Sequence, residues 1–119
     1  MANGSAVHLA ERDGAIVGFG SSGPQRDASL PHSGEIYAIY VLQSAQRRGV
    51  GRALMATLAR DLLAHDHASG ALWVLEGNLP ARRFYETLGG QEIARREERR
   101  DGFTDVGVAY GWSDLKILL

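Results

Sequence analysis

The sequence has no cysteine, no long apolar run and no excess of charge of either sign. Without cysteine among its 119 residues, the chain has no disulfide framework, no thiolate nucleophile and no cysteine-ligated metal. No apolar run approaches the roughly 20 residues of a membrane-spanning helix, and Met1–Ala6 lacks the basic and apolar stretches of a secretory signal. A net charge of -1 argues against a general nucleic-acid-binding protein. We therefore expect a cytoplasmic protein that binds neither nucleic acid nor membrane.

The composition that remains is that of an ordinary globular protein. Hydrophobic residues make up 45% of the chain and charged residues 23%, which is typical neither of a disordered segment nor of a membrane protein. A length of 119 residues suits one domain with a modest hydrophobic core. We expect residues 1–119 to form a single domain.

Turn signals and hydrophobic periodicity divide the chain into strands and helices. Asp13-Gly14 and Asp101-Gly102 suit two-residue hairpin turns, and apolar residues recur at helical spacing from Leu54 to Leu63. Pro80 suits the first turn of a second helix, which Gly89-Gly90 ends. The predicted elements are strands over Val7–Arg12, Ala15–Ser21, Glu35–Leu42, Ala71–Leu75, Glu92–Arg99 and Phe103–Trp112, helices from Gly51 to about His65–Ser69 and over Pro80–Leu88, and a loop over Gly23–Gly34. The order β-β-β-α-β-α-β-β predicts an α/β domain around one mixed sheet.

The most informative segment is the loop between the third predicted strand and the first helix. Gln46-Arg47-Arg48-Gly49-Val50-Gly51 follows a buried strand and leads directly into the helix. Unpaired N–H groups in the first helical turn, together with the helix dipole, bind anions. Gly49 and Gly51 let the backbone approach a phosphate closely, and three arginines add positive charge: Arg47, Arg48 and Arg52. The segment predicts a pyrophosphate site.

Three classes of ligand compete for this loop. A P-loop would require Gly-Lys-Ser/Thr where the chain has Gly51-Arg52-Ala53. A Rossmann fingerprint would place a small residue at Leu54, although Glu76 near the end of the next strand suits the ribose contact of a dinucleotide site. The third pattern, Gln/Arg-x-x-Gly-x-Gly/Ala after a buried strand, is matched at every defined position. A tight glycine loop without a ligand is the remaining interpretation.

A second motif lies one helix and one strand further along the chain. Asn78-Leu79-Pro80-Ala81-Arg82-Arg83-Phe84-Tyr85-Glu86-Thr87-Leu88-Gly89 resembles the signature Asn-x-x-Ala-x-x-Phe-Tyr-Glu-x-x-Gly of the GNAT N-acetyltransferases. The third pattern above resembles the pyrophosphate loop of the same family. The resemblance runs from about Val7 to Leu115 and departs from the family at Gly90, where an apolar aromatic is most common. Through these two motifs the chain resembles a bacterial GNAT N-acetyltransferase.

The resemblance implies a fold of the α/β (α+β) class, with a GNAT-like mixed central sheet that lacks the family's usual N-terminal strand and helices. Family members usually have those elements before the first hairpin, and the helices help to form the acceptor site. In this chain the first predicted hairpin already begins at Val7. An uncovered sheet face or edge favours association, so we expect a homodimer in which a second copy covers the sheet near the hairpin Val7–Ser21.

The family uses acetyl-CoA as cosubstrate, and the matching positions identify the residues expected to bind it. The pantetheine arm is expected to lie like an extra strand in a gap between the strands Glu35–Leu42 and Ala71–Leu75. Asn78 is expected to contact pantetheine or a catalytic water, with a simple N-cap as the alternative. The expected cofactor-binding residues are Val41, Leu42, Gln43, Gln46, Arg47, Arg48, Gly49, Val50, Gly51, Arg52, Asn78, Ala81, Phe84 and Tyr85.

Tyr85 and Glu35 are the candidates for catalytic roles. In the family the tyrosine of the second motif points at the cofactor sulfur and protonates the departing thiolate, and packing of the ring in the core is the alternative for Tyr85. An amine acceptor loses a proton before it attacks a thioester, and many relatives use a glutamate on the third strand. Glu35 is therefore the first candidate for the base, with a solvated carboxylate as its alternative. Glu76 and water are the other candidates.

The expected reaction is transfer of an acetyl group from acetyl-CoA to a primary amine. A direct ternary complex follows from the absence of cysteine, which rules out an acyl-cysteine intermediate. A non-catalytic acyl-CoA-binding or interaction subunit of the same fold is the alternative. No metal site is predicted, because His65 and His67 stand two positions apart on a helix and point in different directions.

Overall fold

A computed structural model describes residues 5–119, which form a six-stranded mixed sheet. The strands are β1 (Ala6–Arg12), β2 (Ala15–Pro24), β3 (Gly34–Val41), β4 (Gly70–Leu75), β5 (Gln91–Arg100) and β6 (Phe103–Trp112), and the helices are α1 (Val50–Ala64) and α2 (Leu79–Thr87). Short 3₁₀ turns span Gln43–Ala45 and Leu115–Leu118. The spatial order is β1-β2-β3-β4-β6-β5, in which β3 and β4 are parallel and the other neighbours antiparallel. The predicted order of strands and helices is confirmed.

Both hairpin turns have the backbone conformation that their dipeptides predict. The φ angles are 52° and 80° at Asp13 and Gly14, and 46° and 84° at Asp101 and Gly102. Positive φ at both central residues is the requirement of a tight turn between twisted antiparallel strands. The turns therefore fix the register of β1 on β2 and of β5 on β6.

Most strands differ from the sequence-based prediction by one residue at an end, and β2 differs by three. β2 continues to Pro24 instead of ending at Ser21, because Gly23 and Pro24 pair with the start of β3. Among residues 5–119, β1 pairs with β2 as far as Ser22, so Pro24 lies beyond this pairing, where its missing N–H is tolerated. β3 ends at Val41, because Leu42 already begins the 3₁₀ turn.

The main hydrophobic core lies between the sheet and both helices. α1 contributes Met55, Leu58 and Leu62, which have almost no exposed surface. They pack with α2 and with the inward side chains of β3, β4 and β6: Ile36, Leu72, Tyr85, Leu88, Val108, Tyr110 and Trp112. Because α1 and α2 share this core, both helices cover the same face of the sheet.

Within residues 5–119, the opposite face of the sheet is only half covered. Near β4 and β6, the segment between β2 and β3 crosses this face, and its Leu30 packs on Ala71 and Ala109. Near β1 and β2, Leu9, Phe19 and Tyr40 stand in one cross-strand row and are exposed. A Cβ at either of the glycines beside Phe19 would meet α1, so the Phe19 ring points away from the helices. An apolar patch therefore remains on the open face.

Candidate active site

The two parallel strands in the middle of the sheet separate soon after they meet. β3 and β4 pair only at Gly34 with Gly70 and at Glu35 with Ala71. From Ile36 and Leu72 onward the two strands have no pairing with each other. The gap that the pantetheine interpretation requires is therefore present between these strands.

The backbone of β3 directs polar groups into this gap. The Leu42 N–H donates to the Val17 carbonyl on β2 at 2.8 Å, and successive residues of a strand direct their N–H groups to opposite sides. Ile39 and Val41 therefore direct their N–H and C=O groups away from β2, toward the gap. The Val41 carbonyl accepts a hydrogen bond from Gln46 Nε2 at 3.0 Å. Val41 thus directs a donor into the gap while its carbonyl fixes the side chain of Gln46.

The loop from Gln43 to Gly49 joins β3 to the exposed, positively charged start of α1. Gln43 lies in the 3₁₀ turn, and the loop then has positive φ at Arg47 (64°) and Gly49 (82°). Gly49 is the N-cap of α1, and no side chain accepts from the first turn, which contains no acidic residue. The three arginines around this turn are all exposed: Arg47, Arg48 and Arg52. Free N–H groups and positive charge suit a pyrophosphate.

Glycine is needed at the two positions Gly49 and Gly51 for different structural reasons. A Cβ at Gly49 would meet nothing within 4 Å, so its requirement is the positive φ of 82°. A Cβ at Gly51 would lie 3.0 Å from the Phe84 ring of α2. Gly51 therefore provides room for Phe84 between the helices, a role that differs from the phosphate approach predicted for it. This contact joins the two motifs that were found separately in the sequence.

The second motif forms α2 and its cap. The Asn78 side chain accepts from the Ala81 N–H at 3.3 Å, and Pro80 lies in the first turn. Asn78 therefore caps the N-terminus of α2, as the N-cap interpretation predicts. Ala81 and Phe84 are half-buried and pack against the main core. These contacts fix α2 beside the start of α1.

Tyr85 is buried in an aromatic cluster on α2. Its ring is 5.5 Å from Phe84, 6.1 Å from Tyr110 and 6.2 Å from Trp112, measured between ring centroids. Only 7% of the residue is exposed, and this burial raises the pKa of the Tyr85 hydroxyl to about 12. Both interpretations of Tyr85 are compatible with this position: a packed ring and a phenol that keeps its proton at neutral pH.

Glu35 lies where β3 and β4 meet and is held by an arginine. The Glu35 Oε1 accepts from the backbone N–H and from Nε of Arg26 at 3.0 and 3.1 Å, and Oε2 accepts from Nη2 at 3.1 Å. The Arg26 guanidinium also lies 4.1 Å from the centre of the Tyr37 ring. Glu35 is therefore a buried, paired carboxylate, which corrects the alternative that it is solvated.

Glu76, the second candidate base, lies beyond the end of β4. It forms an ion pair with Arg95 on β5, which also binds Glu92. Arg82 of α2 joins the same cluster through the Glu76 carbonyl and the Tyr110 hydroxyl. In the described part of the chain, this cluster connects α2 to the β5–β6 hairpin.

A cavity of about 570 Å³ opens on the face of the sheet opposite to the helices. Its lining includes both Glu35 and Trp73, and its remaining residues come from β3, β5 and the segment before β3: Arg26, Asp27, Ala28, Tyr37 and Arg96. Arg96 lies 4.4 Å from the Trp73 ring and forms an ion pair with Asp27 at 3.1 Å. Sequence reasoning missed Arg26 and Arg96, because no local motif marks them. Sequence reasoning also missed Ile39. Because N–H directions alternate along a strand, the prediction for Val41 could have been extended to the Ile39 N–H.

No group of three or more metal-ligating side chains comes together within residues 5–119. Over the same residues, neither helix has the length and apolar character needed to cross a membrane.

Comparison with known proteins addresses the family of this chain. The family model described as Acetyltransferase (GNAT) family matches residues 1–90. The chain belongs to the GNAT acetyltransferase family. The membership implied by the two sequence motifs is thereby confirmed.

Two relatives of this GNAT chain have substantial sequence identity with it. The uncharacterized N-acetyltransferase YuaI of Bacillus subtilis is 39% identical over 108 residues, which cover 91% of this chain and 62% of YuaI. A mycothiol acetyltransferase of Frankia casuarinae is 41% identical over 88 residues, which cover 68% of this chain and 26% of the relative. The chain therefore spans less than two thirds of the length of these curated relatives.

Solved structures of the same family share the fold. A ribosomal-protein-alanine N-acetyltransferase of Brucella melitensis aligns with a TM-score of 0.76 at 25% identity, covering 92% of this GNAT chain and 68% of that chain. The acetyltransferase YncA of Salmonella typhimurium was solved with its cofactor acetyl-CoA. It aligns with a TM-score of 0.75 at 20% identity, and the alignment covers 94% of this chain and 65% of YncA. The second likeness shows the fold alone.

A first prediction separates the role of Gly49 in binding from its role in folding. Gly49→Val forces a β-branched residue into positive φ in the loop predicted to bind pyrophosphate, so we expect CoA affinity to fall at least about tenfold. Gly102→Val is a matched control, because Gly102 has φ of 84° and also has nothing within 4 Å of a Cβ. Calorimetry with CoA is the measurement. Wild-type affinity in a folded Gly49→Val variant would contradict the assignment.

A second prediction concerns the burial of the Tyr85 hydroxyl. With a folded pKa of about 12 against an ordinary 10, the unfolded chain loses this proton first as pH rises. The folded state then binds more protons, so the free energy of unfolding falls between pH 9 and pH 11, by about 1 kcal/mol. Tyr85→Phe should remove this component from urea unfolding curves, whereas Tyr40→Phe, at an exposed ring, should retain it. Identical pH dependence of wild type and Tyr85→Phe would contradict the burial.

Proposed function

We propose that this chain transfers an acetyl group from acetyl-CoA to a primary amine in a direct ternary complex. The observation that carries the proposal is the contact between the two GNAT motifs at Gly51 and Phe84. This contact lies where α1 begins, just beyond the open end of the gap between β3 and β4. A pyrophosphate bound at the start of α1 and a pantetheine arm bound in the gap would thus be continuous.

The charge and backbone of this region support acetyl-CoA as the cosubstrate. The uncapped first turn of α1 and its exposed arginines would hold the pyrophosphate. The N–H groups of Ile39 and Val41 would bind the pantetheine arm as an added strand, and one of them would hold the thioester carbonyl oxygen as negative charge develops. The fold shared with YncA, which was solved with acetyl-CoA, is consistent with this assignment.

The reaction requires a base and an acid. The acceptor arrives as an ammonium ion, loses a proton and attacks the thioester carbonyl carbon. A C–N bond forms, the C–S bond breaks, and the departing thiolate takes up a proton. A phenol with a pKa of about 12 remains protonated at neutral pH, so Tyr85 has a proton to donate to this thiolate.

Glu35 is proposed as the base that receives the acceptor's proton. Ile39 is four positions beyond Glu35, which is about 13 Å along an extended strand. The acceptor amine or a chain of water molecules would lie between the carboxylate and the thioester. Glu76 lies beyond the end of β4, and its ion pair with Arg95 makes it less suited to this role. Glu76 and water remain the alternatives to Glu35.

The relatives do not agree on an acceptor. One is named for mycothiol and another for the alanine of a ribosomal protein. A non-catalytic acyl-CoA-binding subunit of the same fold is the competing function. Such a subunit would need the pyrophosphate loop but not the acceptor cavity. The two functions differ in turnover and not in cofactor binding.

The test of this proposal combines turnover with cofactor affinity. Release of CoA from acetyl-CoA is measured over a panel of monoamines, polyamines, amino acids and peptide N-termini. Tyr85→Phe should lower kcat about 10²-fold with unchanged CoA affinity. Tyr40→Phe makes the same chemical change at an exposed ring and should leave kcat within about twofold. Tight CoA binding with no turnover for any amine would favour the non-catalytic subunit.

We further propose that the chain forms a homodimer through the open face of the sheet near β1. Leu9, Phe19 and Tyr40 form an exposed apolar row there, and the Phe19 and Tyr40 rings are 6.0 Å apart. β1 is also the edge of the sheet, so its outer backbone groups can pair with a second copy. A symmetric partner would cover the row and the edge together.

The dimer prediction is tested with a charge placed in the row. Light scattering at micromolar concentration should show a dimer for the wild type and a monomer for Leu9→Glu, since a buried unpaired carboxylate opposes association. Phe103→Glu is the control, because Phe103 is an apolar residue that is more exposed than Leu9 and lies at the distant β5–β6 hairpin. A wild type that remains monomeric with cooperative thermal unfolding would contradict the proposal.

A further inference from the structure

The pairing of Arg26 with Glu35 is asymmetric in exposure. The Glu35 side chain is 6% exposed, whereas the Arg26 side chain is 65% exposed. The guanidinium therefore lies between solvent and the carboxylate, at the cavity of about 570 Å³. A molecule that reaches the Glu35 carboxylate from the cavity has to displace this guanidinium or share its position.

The groups that contact the Arg26 guanidinium together form a site for a cation. One is the Glu35 carboxylate, and the other is the face of the Tyr37 ring, whose centre is 4.1 Å from the guanidinium carbon. The Tyr37 hydroxyl donates to the Pro24 carbonyl at 2.5 Å, which fixes the ring. A carboxylate beside an aromatic face suits an ammonium group as well as a guanidinium.

The site can change its cation without a change in the backbone around it. The Arg26 N–H donates to Glu35 Oε1 at 3.0 Å, so the carboxylate keeps one partner when the side chain leaves. The same segment is held by Asp27, which pairs with Arg96 at 3.1 Å, and by Leu30 in the small apolar cluster. Only the Arg26 side chain has to rotate into solvent.

We propose that the Arg26 guanidinium occupies the place of the acceptor's ammonium group in the free protein and that only a cationic acceptor displaces it. The inference rests on the proposed acetyl transfer and assigns to Arg26 the selection of the acceptor. A neutral acceptor would leave the buried Glu35 carboxylate without a counter-charge, which is strongly unfavourable. The exchange therefore selects amines over alcohols and thiols. After the exchange, the ammonium is placed to pass one proton to Glu35.

The experiment measures cation binding without acetyl transfer. CoA-loaded protein is titrated with n-butylammonium chloride while NMR follows the Arg26 Nε–H signal. We expect this signal to move toward the value of a solvated guanidinium and to saturate, with no change on addition of n-butanol. The NMR readout does not depend on turnover. If the wild type acetylated no amine, that result would oppose the acetyltransferase assignment, and the titration would still test the binding of the cation.

Variants make the competition quantitative. Arg26→Gln removes the competing cation, so n-butylammonium should bind about tenfold more tightly than to wild type, consistent with the cost of one exposed charge-assisted pair. Arg26→Lys keeps a cation with fewer donors and should give an intermediate affinity. Arg60→Gln, an exposed change of the same charge on α1, should match the wild type. Glu35→Gln should lose the binding.

Kinetics in an active preparation provide a second readout. Displacement of Arg26 by the acceptor predicts a lower KM for the amine in Arg26→Gln, by about tenfold, with kcat retained. A structural role for Arg26 predicts a raised KM and a lowered kcat instead. Unchanged or weaker n-butylammonium binding in both Arg26 variants, or equal binding of n-butanol, would overturn the proposal.

Discussion

The parallel strands β3 and β4 share two residue pairs and then separate, and the candidate active site is arranged around that separation. Glycine allows the close junction, because a Cβ at Gly34 would lie 2.9 Å from the Ser69 carbonyl and one at Gly70 would lie 3.2 Å from Leu115. Beyond the junction, β3 keeps its partner β2 on one side and directs the backbone of Ile39 and Val41 into the gap on the other. An added strand is the structure that satisfies such groups.

The two ends of the gap differ in electrostatic character. At the open end, Arg47, Arg48 and Arg52 surround a helix start that contains no acidic residue, so the charge is free to bind an anion. At the junction, the arginines are already paired: Arg26 with Glu35 and Arg96 with Asp27. The first arrangement suits a permanent pyrophosphate site, and the second suits an exchange of cations.

Local sequence patterns predicted the order of elements, both hairpin turns and the cap of α2, because each depends on residues that are near in sequence. Asp13-Gly14 and Asp101-Gly102 fix their own turns, and Asn78 caps the helix that it precedes. Contacts between distant elements were not predictable in this way. The crowding of Gly51 by Phe84, the placement of β6 between β4 and β5, and the pairing of Arg26 with Glu35 arise only when the chain is folded. The sites predicted by resemblance, including Tyr85 and Glu35 as catalytic groups, remain predictions.

The central claim is that the gap between β3 and β4 binds the cofactor as an added strand. Residue-resolved amide hydrogen exchange with and without saturating CoA tests it directly. We expect the N–H groups of Ile39 and Val41 to exchange at least about tenfold more slowly with CoA, while that of Leu42, already bonded to Val17, changes little. Unaltered exchange at Ile39 and Val41 in the CoA complex would contradict the account.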